Sequence, residues 1–168
     1  MAIIFLVNAN GQYTDDMARA ALAHYFTRCE DFPFGGFGVD LADPDGDMQR
    51  TAEAIGKDTG KRAYHFVIAF PAEKQIPISD LVCVMNNICV EIGSLYQVFY
   101  AIHTDKAHLH VHMMINAVSY VTHKKFRGNR ESFHWIEKII RNHLYSLGER
   151  TTYLTYDRVP KEYMDFDG

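Results

Sequence analysis

The chain has 168 residues, 48% of them hydrophobic and 23% charged, with a net charge of −4. This composition fits one globular domain, 1–168, with a sizeable core. No apolar run approaches the roughly 20 residues of a membrane span, and the apolar start Ala2 to Val7 lacks the basic flank and cleavage site of a signal peptide, so no membrane partner is expected.

Residues 2–8 read as a strand and Asn8 to Gly11 as a turn. Thr14 can cap a helix from about Asp15 to Arg28, with acids in its first turn. The Gly- and Phe-rich segment Asp31 to Gly38 reads as a loop. Asp43-Pro44 opens a helix to about Lys57. Tyr64 to Phe70 is a strand stopped by Pro71, and Ser79 or Asp80 caps a long apolar helix to about Ile92. Gln97 to His103 is a strand, Thr104 to Ala107 a turn, and His108 to Val118 the next strand. Glu131 to Leu147 has apolar residues at helical spacing and ends at Gly148. Thr151 to Tyr156 reads as a final strand. The sum is an α+β fold, a mainly antiparallel sheet of about five strands flanked by helices. Cys29, Cys83 and Cys89 have no paired spacing, so no disulfide framework is expected. Cys83 and Cys89 read as packed thiols, and the expected compartment is the reducing cytoplasm.

The chemistry concentrates in His108-Leu109-His110-Val111-His112. On a strand, period two puts His108, His110, His112, Met114 and Asn116 on one face. Leu109, Val111, Met113 and Ile115 fall on the other, which is expected to be the packed face. A run of imidazoles on one face is not a packing solution. With a four-residue turn, His103 faces His108 and lies diagonal to His110, within reach of the same cluster. Neutral imidazoles are common metal ligands, and three with an open position suit catalysis. The register leaves open which three of the four bind metal. Asp105, in the turn, either orients a ligand histidine by accepting its second N–H or simply forms the turn.

The run from His103 to Asn116 resembles motif III of relaxases of mobilisable plasmids and conjugative elements, in the MobP class, written loosely HxDxxHxHxHxxxN. Arg62 to Phe70 is similar to that family's upstream strand, and Lys124-Lys125-Phe126 before a helix to the segment that follows the motif. The resemblance covers about 60–145. It implies that His103, His110 and His112 bind the metal and that Asp105 orients or activates the site. It gives His108 and Asn116 supporting places. It implies a sheet of the HUH-endonuclease kind and strand-specific nicking of single-stranded DNA at a transfer origin through a covalent 5′-phosphotyrosine. It also implies accessory mobilisation proteins as partners. The ion implied is Mn²⁺ or Mg²⁺, whereas ligand softness alone favours Zn²⁺ or Mn²⁺.

Such chemistry needs a tyrosine nucleophile, and the chain has ten. Tyr25, in Leu22-Ala23-His24-Tyr25-Phe26, best matches the family pattern, with Tyr13 second. The residues after Tyr25 (Thr27-Arg28-Cys29-Glu30) depart from the family's Asn-Pro-containing turn. His65 stands near the start of a strand that can neighbour the histidine strand, where it supports the cluster or satisfies the sheet. Glu30 to Thr59 holds eight acids and two basic residues, whereas Lys106 to His143 holds seven Lys/Arg and two acids. DNA is therefore expected at the C-terminal half, with Lys124, Lys125, Arg127 and Arg130 tracking phosphate and Phe126 or Trp135 offering a stacking face. Two other readings stand. His108 to Met114 also fits the HφHφHφφ pattern (φ apolar) of histidine-triad nucleotide hydrolases, which need no metal. The chain also fits a DNA-binding relaxase derivative without a nucleophile.

Overall fold

The computed structural model describes residues 1–7 and 12–164. The turn expected at Asn8 to Gly11 lies outside the described residues. The strands are β1 (Ala2–Val7), β2 (Phe34–Phe37), β3 (Ala63–Ala69), β4 (Val98–His103), β5 (His110–Asn116) and β6 (Thr151–Tyr153). The helices are α1 (Asp16–Phe26), α2 (Pro44–Ile55), α3 (Ile78–Ile92) and α4 (Arg130–Tyr145), and two short 3-10 turns follow at Tyr156–Arg158 and Lys161–Tyr163. The strands form one sheet in the order β2-β4-β5-β3-β1-β6. Every pairing is antiparallel except that of β1 with β6. The α+β reading holds, with six strands rather than five. Among the described residues no helix is long and apolar enough to cross a membrane.

Period two decides the two faces of the sheet. Ile4, Phe66, Ile68, Tyr100, Ile102, Val111, Met113 and Ile115 pack beneath α3 and α4. Helix α3 contributes the stripe Leu81, Val84, Met85, Ile88, Cys89 and Ile92, and α4 contributes Ile136, Ile139, Ile140 and Leu144. The opposite face is also covered. Leu22, Ala23 and Phe26 of α1 and Met48 of α2 pack on Phe99, Ala101 and Met114. The C-terminal 3-10 turns lie over Ile3, Phe5, Val7, Val67 and Ala69. The expectation of a single packed face is therefore corrected: the histidine face is buried as well.

Several boundaries move for physical reasons. Phe34 to Phe37 is an edge strand, not loop. Its glycines permit that, because a Cβ on Gly36 would strike the Val98 carbonyl oxygen of the paired strand, and one on Gly35 would stand 2.9 Å from the Tyr100 ring. Asp15, not Thr14, caps α1, its carboxylate accepting from Ala18 N at 2.7 Å. Pro77 precedes α3, without the expected side-chain cap from Ser79 or Asp80. The final strand stops at Tyr153. Cys89 is buried, but Cys83 is exposed, against the expectation for it. Helix α4 is capped by Asn129, whose carboxamide oxygen accepts from Ser132 N at 2.9 Å. Asn129→Ala is expected to cost about 1 kcal/mol in urea unfolding without changing the m-value; an unchanged midpoint contradicts this.

Candidate active site

β3, β4 and β5 place four histidines on the face under α1. His103 pairs directly with His110, Ala101 with His112, and Val67 with His112. The expected register is thus corrected. β5 starts at His110 and not at His108, so the connection is longer and His103 faces His110. His108 stands outside the strand, its Nδ1 3.1 Å from the Phe70 carbonyl oxygen. Its ring centre lies 6.3 Å from that of His110, the same spacing as from His110 to His112.

His65, His103, His110 and His112 are each 3% exposed or less. Ring centroids of His103 and His112 lie 4.2 Å apart, and those of His110 and His112 6.3 Å apart. Burial pushes His65 down to about 3, with the charge on His103 adding to it. Burial also takes His103 down to about 4, and the nearby Arg28 charge lowers it further against a raising bond to the Phe26 carbonyl. His110 is lowered and His112 is held well below the usual value, burial first in both. At neutral pH all four are uncharged, the form in which imidazole ligates metal.

The hydrogen bonds fit a metal-binding set. His103 Nε2 lies 3.0 Å from the Phe26 carbonyl oxygen and His110 Nε2 3.1 Å from that of Tyr163. A carbonyl oxygen only accepts, so both rings carry the proton on Nε2 and keep Nδ1 as an acceptor. His112 Nδ1 meets His65 Nε2 at 2.9 Å, and His65 Nδ1 meets the Tyr13 hydroxyl at 2.9 Å. Each expected ligand thus has one nitrogen fixed by an outer partner, as metal-binding histidines do. His103 Nδ1 already serves a cation, accepting from Arg28 Nη1 at 2.9 Å. His103, His110 and His112 have the donor chemistry for a divalent ion, but their nitrogens do not all lie within 4.8 Å of one another, and Arg28 occupies His103 Nδ1, so an ion there requires the rings to draw together and Arg28 to move off. Among the described residues, the three that bring their donor atoms within 4.8 Å of one another are instead the carboxylates Asp16, Glu53 and Asp58. Of these, Asp16 and Asp58 pair with Arg19 and Arg62, so their charge is already balanced.

Tyr25 arrives through α1. Leu22, Ala23 and Phe26 seat the helix on the sheet, and Tyr25, one turn after Leu22, lies at the margin of that stripe. Its ring stands edge-on 5.2 Å from His103 and 5.3 Å from His112. Arg19 fastens the helix. It is fully buried, with Nη1 3.1 Å from Asp58 and Nη2 2.6 Å from Asp16. A cleft of about 500 Å³ opens beside Tyr25, lined also by Tyr13, Asp15, His65 and Tyr156. Tyr13 holds a φ of 58°, a left-handed conformation unusual for a bulky side chain. His24, beside Tyr25, is exposed on the helix.

Asp105 accepts from Arg28 Nη2 at 3.0 Å, so it reaches His103 through Arg28. Asn116 lies at the far end of β5, buried, donating to Gln97 Oε1 at 2.9 Å and to the Met48 carbonyl at 3.2 Å. It secures the sheet and not the histidines. The basic stretch is at that far end too, about 20 Å from His110 at the usual strand rise. Lys125 Nζ donates to the Thr59 and Lys61 carbonyls at 2.5 and 2.7 Å. Arg130 lines a separate groove of about 700 Å³ with Phe133, Tyr153 and Tyr156, which holds none of the four histidines. Lys124 and Arg127 are exposed. Phe126 is buried on Tyr64 and offers no face to a base. Arg28 escaped sequence reasoning. The only trace of it was the departure from the family turn after Tyr25.

The buried neutral histidines make the metal-free fold acid-sensitive. Their folded values lie below the ordinary 6.5, so as pH falls the unfolded chain takes up protons first. Their contribution is complete above about 6.5 and is lost as pH drops towards about 4. The melting temperature in chelator should fall steadily across that window, and a flat profile contradicts this.

Comparison with known proteins bears on the family and the fold. The family described as relaxase, MobA/VirD2-like, nuclease domain, matches residues 28–145. Tyr13 and Tyr25 lie before that span. Two relatives named Protein rlx, from Staphylococcus aureus, are 26% identical over 125 residues and 29% identical over 111. These matches cover 71% and 61% of this chain but only 38% and 34% of the relatives, so the chain spans about a third of their length. A solved structure from work described as "Molecular Basis of Vancomycin Resistance Transfer in Staphylococcus aureus" is 12% identical, covering 82% of this chain and 91% of its own, with a TM-score of 0.53. That likeness extends to the fold alone. With most of the chain matched, the histidine-bearing strands included, the chain belongs to the relaxase family, as a MobA/VirD2-like nuclease domain.

Proposed function

We infer that the chain, as one nuclease domain over residues 1–168, nicks a single strand of DNA at a transfer origin and holds the cut end covalently. The observation that carries this is the Tyr25 ring packed against His103 and His112 beside an open cleft. Tyr25 attacks the phosphodiester. The bond from its Oη to phosphorus forms and the bond from phosphorus to the 3′ oxygen breaks. The phenol gives up its proton and the 3′ oxygen takes one. The product is a 5′-phosphotyrosine and a free 3′ hydroxyl. His103, His110 and His112 hold a divalent ion, Mn²⁺ or Mg²⁺, with Zn²⁺ also suited to three nitrogen donors. When bound, that ion supplies charge compensation on the phosphate oxygens. Burial keeps the three imidazoles neutral for it, and His65 orients His112. Accessory mobilisation proteins are the expected partners, and the cytoplasm is the expected compartment.

The test is a covalent-adduct assay. Purified protein, Mn²⁺ and labelled single-stranded oligonucleotides drawn from its own mobile element are run on a denaturing gel. A shifted band that disappears with chelator supports the reading. DNA binding without any adduct would identify a relaxase derivative that has lost cleavage.

A further inference from the structure

We propose that Arg28 is the residue that grips the DNA phosphate beside Tyr25, and that in the free protein its guanidinium rests on His103 and Asp105. The proposal rests on the reading of this site as a nuclease centre.

The guanidinium lies 4.5 Å from the Tyr25 ring centre and 5.0 Å from that of Phe32, stacked against both. Nη1 donates to His103 Nδ1 at 2.9 Å and Nη2 to Asp105 at 3.0 Å. Nη1 also donates to the Tyr25 carbonyl at 3.3 Å, so the fork is fixed in place by two aromatic faces and three acceptors. Its side chain is still 27% exposed and that of Asp105 38% exposed, so a ligand can approach it from solvent. A planar guanidinium binds phosphate through two parallel N–H bonds. The site needs such a group, because Lys125 spends its ammonium on the carbonyls of Thr59 and Lys61, at the other end of the sheet. Neither resting partner competes strongly with a phosphate. A neutral imidazole offers one lone pair, and an exposed ion pair contributes little. An arriving phosphodiester can therefore draw the guanidinium from Asp105 and from His103 Nδ1, freeing that nitrogen for the ion, while the Tyr25 and Phe32 rings keep it next to the phenol.

The experiment measures binding of the single strand dT20 over a range of salt concentrations, for the wild type, Arg28→Gln and Arg28→Lys. Losing one phosphate contact should make the slope of log K against log salt shallower by about 0.7 in Arg28→Gln. Affinity at low salt should drop about tenfold. Arg28→Lys should keep the wild-type slope, because the charge remains. On the wild type itself, the Arg28 Nε–H resonance should shift when dT20 is added, which needs no variant to fold. An unchanged slope in Arg28→Gln, an unmoved Nε–H resonance, or no binding of dT20 by the wild type overturns the proposal. The nuclease reading is scored separately by the adduct gel. An adduct with an unchanged salt slope removes Arg28's role alone, and a changed slope without an adduct removes the nuclease reading alone.

Discussion

Tyr25→Phe is expected to abolish the covalent adduct, a loss of roughly a thousandfold or more in cleavage, while the protein still folds and binds single-stranded DNA. Only the phenolic oxygen is removed. The ring that packs 5.2 Å from His103 and 5.3 Å from His112 stays, so α1 keeps its seat. Tyr13→Phe is the control. Its hydroxyl bonds His65 Nδ1 at 2.9 Å, so that variant loosens the partner of His112 but leaves the nucleophile. It should form the adduct more slowly and not lose it. An adduct that survives in Tyr25→Phe and vanishes in Tyr13→Phe would transfer the nucleophile to Tyr13.

The second large effect falls on stability. Asp58→Ala should cost about 3 kcal/mol in denaturant unfolding, with an unchanged m-value. Arg19 has no exposed side-chain surface, and Asp58 holds it through bonds at 3.1 and 3.3 Å. Without that carboxylate a buried guanidinium keeps only Asp16, which is 47% exposed and screened by water. Arg62, at the approach to β3, loses its 3.2 Å partner as well. The same substitution loosens the joint between α1 and the sheet, so Tyr25 loses its placement too. A change below 1 kcal/mol would mean that Asp16 alone satisfies Arg19.

Much of the site could be read from alternation along β5, because period two is a property of the backbone and needs no tertiary knowledge. It put His110 and His112 on one face, as found, and His65 on a neighbouring strand was also in view. What covers that face could not be read. Imidazoles on a strand suggest an open surface, yet Phe26 from α1 closes over them, 5.3 Å from His65 and 5.6 Å from His112. The hairpin register failed because His108 looks like a strand residue, while its ring nitrogen is held by the Phe70 carbonyl before the ladder begins. The glycines of β2 read as loop because their use is steric and lies on another strand. The basic run after Asn116 drew attention as a phosphate track, but β5 carries the chain away from the histidines before reaching it. Arg28 makes no pattern with its neighbours. It becomes visible only when α1 and the β4–β5 turn meet.

The carbonyl of Tyr163 that fixes the proton of His110 belongs to nearly the last turn described, whereas Tyr25 belongs to the first helix. β1 waits between β3 and β6 for partners made much later. During synthesis on the ribosome, Tyr25 therefore emerges long before Tyr163. The histidine cluster is complete only once the turns at Tyr156–Arg158 and Lys161–Tyr163 have docked, so a nascent chain lacking them leaves His110 without the carbonyl that fixes its proton.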